Sequence, residues 1–308
     1  MLGHVPRAGR APRGVPSLVL TLVLVLATCA AIPALASSPS LAPRDDAAAH
    51  GTHPFEMQRD AWRSDWRDVC IVPNEARDAW IAPANSPQQR EALETVNLVS
   101  RETTIGAPLL SRALDLGVAI CLLDHARQGA RGVYDASVGV IAVDRSLDDF
   151  ETAIILVHEL RHADVIARGV EPSLTFLMRE AITVHLAMEA DAHLVGILYA
   201  WHGAQAGKPG LWTTALRLTQ HDDVARVLGA GLAAGVAPGR CYEEAFQAWF
   251  ENPQRLDRYR FYAAMAYVDK QDEAHAPVGC DCAPAVTFAL LGRLPNGKSY
   301  DARPPDFW

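Results

Sequence analysis

The 308-residue sequence has no cluster of Lys or Arg. Its 28 basic residues are outnumbered by 36 acidic ones. Three of the basic ones fall in the first 36 residues, which carry no acid, so the remainder stands at a net charge of −11. A surface of that sign repels phosphates and anionic lipid headgroups, so nucleic acid and an anionic membrane surface are excluded as partners. The G-x-S-x-G turn of a serine hydrolase is absent. So is a phosphate-cradling loop, because Gly129, Gly132 and Gly139 have neither its spacing nor its Lys. There is no internal repeat. What is present is ordinary globular material, half of it apolar, in a length suited to one sizeable domain.

The first forty residues read as an export signal. Arg7, Arg10 and Arg13 precede the apolar stretch Leu18 to Ile32, and Ala34-Leu35-Ala36 offers a small-residue cleavage site. At 15 residues the stretch falls short of the ~20 that a spanning helix needs. Cleavage after Ala36 is therefore expected. A variant is lipidation at Cys29, although Thr28 departs from the small residue usual before such a cysteine. Either way a periplasmic or extracellular location follows, with membrane attachment only if Cys29 is lipidated. Residues 37–54 read as a linker, and folded structure is expected from about Phe55. Export permits disulfides. Cys121, inside an apolar run, reads as a buried small hydrophobe. Cys280 and Cys282 are too close in sequence to pair with each other. Both would then bond to Cys70 and Cys241, in an order the sequence does not fix. A structural zinc site at Cys241, Cys280 and Cys282 is disfavoured because it lacks paired C-x₂₋₄-C spacing.

The patterning predicts an α+β domain over residues 55–275, mostly helical with a small sheet, and a loop-rich Pro/Cys-containing tail over 276–308. A short helix is expected over 90–100. The run Leu109 to Leu123 is apolar with turn signals on both sides and fits helix or strand. Residues 134–143 suggest a strand or tight hairpin around Gly139. Asp148 and Glu151 are placed as N-cap and capping-box partner of a helix from Phe150 to about Arg168. A second helix is expected from Pro172-Ser173 to about His202, and two more over 243–250 and 256–269.

His158-Glu159-Leu160-Arg161-His162 carries the chemistry. On a helix, positions i and i+4 share a face, so both imidazoles can reach one ion, while Glu159 lies roughly 100° around the axis. Two His, a third protein ligand and an open position describe a catalytic zinc site. There the metal acidifies a water to a pKa of about 7 and the carboxylate can take its proton. The third ligand is not the His of a metzincin, because Arg168 stands where that His would be. The second helix offers Glu180, His185, Glu189, Asp191 and His193. Glu189 is preferred, 27 positions after His162, with Asp191 and His193 chemically able to serve. His185 and His193 flank Glu189 at i−4 and i+4 and read as pocket-wall residues. Asp191 or Asp164 could orient a ligand His through its far nitrogen, with Arg161 as a carboxylate partner. An oxyanion donor could come from Tyr199, Tyr242, Tyr259, Tyr262, Tyr267, His185 or His193, and the sequence selects none of them. His275 reads as a loop residue.

The motif with its Arg161, the helix segment Glu189-Ala190-Asp191-Ala192 and the following Ala200-Trp201 resemble the DUF6782 metallopeptidase family over roughly 134–269. More broadly they resemble the gluzincins, whose third zinc ligand is a Glu on the helix after the motif. The resemblance implies His158, His162 and Glu189 as ligands of one Zn²⁺ and Glu159 as general base. It also implies a zincin-like fold, with an edge strand at Gly139 to Val143 along which a peptide can lie. The gluzincin E-x-x-x-D pattern is not reproduced, since Asp191 follows Glu189 by two. The expected activity is hydrolysis of a peptide or protein substrate. A cell-wall amidase and a non-catalytic exported envelope-assembly module with a relic metal site stand as alternatives.

Overall fold

A computed structural model describes residues 68–123, 131–275, 277 and 279–306, all within one compact unit, 52–308. The expected signal peptide, Cys29, the linker and the start near Phe55 lie outside the described residues.

Strand β1 (Cys70–Pro73) is followed by a short β2 (Trp80–Ile81). Helix α1 (Pro87–Ser100) starts at an N-cap Ser86, whose hydroxyl accepts from the Gln89 N–H while the Gln89 side chain accepts from the Ser86 N–H. Gln89 also donates to the Cys70 carbonyl at 2.9 Å, tying α1 to β1. The ambiguous apolar run is helix and then strand: α2 (Gly106–Leu116) gives way to β3 (Ala119–Leu123). The switch falls at Gly117, whose φ of +76° is the left-handed cap that glycine adopts without penalty. The hairpin around Gly139 forms as β4 (Gly132–Asp135) and β5 (Val140–Asp144), with the Asp135 carboxylate closing the turn on the Ser137 N–H at 2.9 Å.

The sheet order is β2-β1-β3-β5-β4, mixed, with only β3 and β5 parallel. The resemblance placed an edge strand at Gly139 to Val143, and here the structure differs. β5 is interior, paired to β3 on one side and β4 on the other, and the strand at that edge of the sheet is β4. Four of the five β5 residues are buried, as expected of a strand inside the sheet with its faces covered.

The cysteine pairing also needs correction. Cys70 and Cys121 face each other across the antiparallel β1–β3 pair and are joined in a disulfide. Cys241 is buried and free, and Cys280 and Cys282 are exposed and free. Cys121 is thus apolar in its surroundings and bonded as well; its strand register, invisible in sequence, decides the partner. Because the bridge spans 51 positions, replacing both cysteines by Ala should cost about 2–5 kcal/mol. Thermal denaturation should show the loss, and a reductant should reproduce it in the wild-type chain.

Helix α3 (Asp149–Ile166) begins as the sequence predicts, with Asp148 accepting from the Phe150 and Glu151 N–H groups and Glu151 completing the box. It is buried on nearly every side and packs between the sheet and α4 (Met178–Gln205). Helix α4 is long and apolar enough to cross a membrane, yet most of it lies inside the domain as a core helix. It starts several residues later than expected. The Ser173 hydroxyl and carbonyl accept from the Thr175 and Phe176 N–H groups, a local turn that competes with helix, and Phe176 bridges to Asp281. Helices α5 (Pro209–Arg217), α6 (Asp222–Ala233), α7 (Pro238–Trp249) and α8 (Pro253–Ala274) complete the helical layer. The tail is more ordered than its Pro and Gly content suggests. Helix α9 (Ala285–Leu291) and the strand-like return at Arg293 and Ser299 dock it onto α4.

Candidate metal centre

The spacing of His158 and His162 on α3 brings their Nε2 atoms to 3.0 Å from each other. Glu189, from the middle of α4, closes the cluster: its Oε2 lies 3.5 Å from His158 Nε2 and its Oε1 3.4 Å from His162 Nε2. Two imidazole nitrogens and a carboxylate converge within 4.8 Å of one another, the only such set of three or more metal-binding side chains among the described residues. His185, one turn before Glu189, stands at 3.9 Å from its Oε1 and is the most open member of the group, with 31 % of its side chain accessible.

The electrostatics suit a cation. Burial raises the Glu189 carboxyl, but the surrounding His162, His158 and His185 outweigh it and leave the value at about 2, so the group is an anion. Burial drives His162 down to about 3, leaving a neutral ring with a free lone pair. His158 is also desolvated, yet the hydrogen bond its ring donates to Glu189 and the charge of Glu159 raise it. Burial pushes Glu159 up to about 7, with the Glu189 charge adding to the effect. Glu159 lies outside the converging set and turns towards the edge strand β4, where the Tyr134 N–H donates to its carboxylate. That approach requires Gly132: a Cβ there would stand 2.8 Å from Glu159 Oε1 and 2.6 Å from Ile155 Cγ2.

A family described as "Putative metallopeptidase family (DUF6782)" matches residues 71–302. The chain belongs to the DUF6782 family. No curated protein and no solved structure matches it.

Several residues that the sequence put forward lie elsewhere in this DUF6782 protein. Asp191 and Asp164 do not hydrogen-bond His158 or His162. Both are taken by Arg161, whose Nε donates to Asp191 Oδ2 at 2.6 Å and whose Nη1 donates to Asp164 Oδ2 at 2.7 Å. Glu180 instead accepts from the Ala283 N–H. His193 is close to the centre but outside the converging set, its ring 4.6 Å from that of His158 and its Nδ1 donating to the Glu189 carbonyl at 2.8 Å. Of the tyrosines, Tyr259 is the one whose hydroxyl feels the charges of Glu189 and Glu159; the other four lie apart from them. Tyr199 is buried near Glu102, Tyr267 donates to the Phe176 carbonyl, and Tyr262 is exposed. His275 caps the end of α8 as a loop residue. The residues that sequence reading missed are His221, Trp249 and Tyr300. All are brought in by tertiary packing and carry no motif.

Proposed function

We propose that this DUF6782 protein is an exported zinc-dependent peptidase of gluzincin type on a zincin-like scaffold. His158, His162 and Glu189 would hold the metal and Glu159 would act as the base. The single observation that carries this reading is the donor set: two neutral-capable imidazoles and one carboxylate that stays ionised, with a second buried carboxylate beside them that is not part of the set. A closed structural site has four protein ligands and no use for such a carboxylate. Bound there, a zinc ion supplies Lewis acidity, polarising a carbonyl and acidifying water.

The protein's own groups supply the rest. Glu159, anchored by the Tyr134 N–H, is placed to take a proton from water, hold it on its carboxyl and deliver it to the nitrogen of the leaving amine. The outer edge of β4 lies beside Glu159 and pairs with no other strand among the described residues. An extended substrate can add to it by main-chain hydrogen bonds. The Cys70–Cys121 disulfide supports a location outside the reducing cytoplasm.

Elemental analysis of the purified protein tests the centre. About one zinc per chain is expected in the wild type and is expected to be lost in both His162→Ala and Glu189→Ala. Zinc at wild-type level in both variants, or none in the reconstituted wild type, would overturn the reading. Metal without turnover on peptide and cell-wall substrates would favour a non-catalytic module.

A further inference from the structure

Helix α8 is apolar on two sides. Leu256, Ala263 and Tyr267 are buried, and the helix packs on α4. Met265 stands two residues from both Ala263 and Tyr267, about 200° around the axis. It belongs to an outer face where Phe261, Tyr262, Met265 and Val268 are 38–62 % exposed, the Phe261 and Tyr262 rings lying 5.9 Å apart between centroids. The other large exposed apolar side chains among the described residues, Ile81, Leu116, Val236 and Val286, fall on separate segments. Scattered singly, such residues need no explanation; gathered on one helix face, they mark a contact.

The face has an order. Gln254, Arg258, Phe261, Met265, Val268 and Asp272 are all exposed and follow one another at spacings of four and three. That alternation keeps them in one stripe along the helix, the seam that two packed helices share. The stripe is apolar in the middle, cationic at Arg258 and anionic at Asp272. Arg258 rests over the Tyr259 ring at 5.5 Å, and neither it nor Asp272 has an ion-pair partner among the described residues. A second copy of the stripe, laid antiparallel, complements this pattern. Phe261, Met265 and Val268 of one helix then meet the same three residues of the other, and each Arg258 faces the acidic end of its counterpart. A parallel arrangement would set like charges together at both ends. The antiparallel one is a two-fold, self-complementary contact, the form that closes as a dimer. A lipid surface fits less well, because the stripe runs out on Asp269, Asp272 and Glu273 in place of a basic flank.

We propose that the outer face of α8 joins two copies of this chain, the helices antiparallel and Arg258 of each paired with Asp272 of the other. One helix from each copy makes a small contact, so the dimer is reversible and depends on concentration. His158, His162 and Glu189 take no part in it. The interface therefore stands or falls separately from the metal-centre reading.

Sedimentation of the purified protein over a range of concentrations tests this. The wild type should move from the mass of one chain towards that of two as concentration rises. Met265→Lys sets like charges together in the middle of the contact and should stay monomeric, with unchanged helical content and Tm. Arg258→Asp and Asp272→Arg should each weaken association by more than about tenfold, because both ends then repel. Mixed in equal amounts, these two variants should associate again, since opposite charges then meet at both ends. The mixing experiment decides the matter alone if Met265→Lys does not fold. A wild type that stays monomeric up to about 1 mM rules the interface out, and so does a dimer that none of these substitutions affects. A monomer that binds phosphatidylcholine vesicles, and loses them on Met265→Lys, assigns the face to a membrane. A monomer destabilised by Met265→Lys assigns it to the chain's own residues before 68. Either result refutes the dimer.

Discussion

Glu159→Gln should retain about one zinc per chain and lose about 10²–10⁴-fold in kcat, the contribution typical of a positioned general base. The substitution is close to isosteric. The amide oxygen can still accept from the Tyr134 N–H and the side chain still fits under Gly132, so the packing of β4 on α3 is kept. What goes is the capacity to take up a proton. Since Glu159 lies outside the converging set of His158, His162 and Glu189, metal affinity should change little. KM should change little too, because the loss falls on the transition state. The pH profile offers a second reading. The Glu159 carboxyl sits at about 7 without a cation, and a nearby divalent charge draws a carboxyl down. The acidic limb of kcat/KM is therefore expected at or below pH 7 and should vanish in the variant. Assay on a peptide panel alongside cell-wall peptides, with zinc measured on the same samples, decides it. A Gln variant as active as the wild type would assign the base to another group.

The parts of this site that the sequence discloses are those set by local helical geometry. His158 and His162 are four residues apart, and any helix through them puts them on one face. Asp148 and Glu151 announce where that helix starts. Glu189 was legible because a loop and an antiparallel return place the next helix beside the first. The rest depends on which element lies next to which. Nothing in the residues 134–143 says that β5 pairs in parallel with β3 and leaves β4 at the edge. Cys121 looked like core because it is core; only the β1–β3 register shows that it also faces Cys70. His221 is a single histidine before α6 and meets His193 and His158 only after α6 folds back. Asp191 illustrates the limit best. A carboxylate two residues from Glu189 reads in the sequence as one that could orient a histidine, but on a helix two residues is about 200°, which turns it away from Glu189 and towards Arg161.

Removing Arg161 or Asp191 should be the most damaging change to stability away from the ligands. Arg161, inside the motif, is completely buried, and so is Asp191. The guanidinium holds three parts of the molecule together: Asp164 on its own helix, Asp191 on α4, and the carbonyls of Leu291 and Arg293 at 2.6 and 3.0 Å in the docked tail. Tyr300 adds a further link, its hydroxyl donating to Asp191 Oδ1 at 2.6 Å. Truncating one partner leaves the other charge buried and uncompensated, which costs about 3–5 kcal/mol. For a domain of this size that corresponds to a fall in Tm of about 6–20 °C. Arg161→Ala and Asp191→Ala should each show it. Arg161→Lys should not rescue, because an ammonium cannot serve a carboxylate on each helix and two carbonyls from one planar fork. Tyr300→Phe removes a single hydrogen bond to a charged acceptor and should cost about 1.5–3 kcal/mol. The double variant Arg161→Ala/Asp191→Ala should be less damaging than the sum of the singles, since neither charge is then stranded. Additive losses would mean that the two side chains act independently. The geometry makes that hard to sustain, because the pair closes at 2.6 Å between the helices that carry His158, His162 and Glu189. Zinc content should fall in these variants only as far as the α3–α4 contact loosens, since Arg161 bonds Asp164, Asp191 and the tail and not His158, His162 or Glu189.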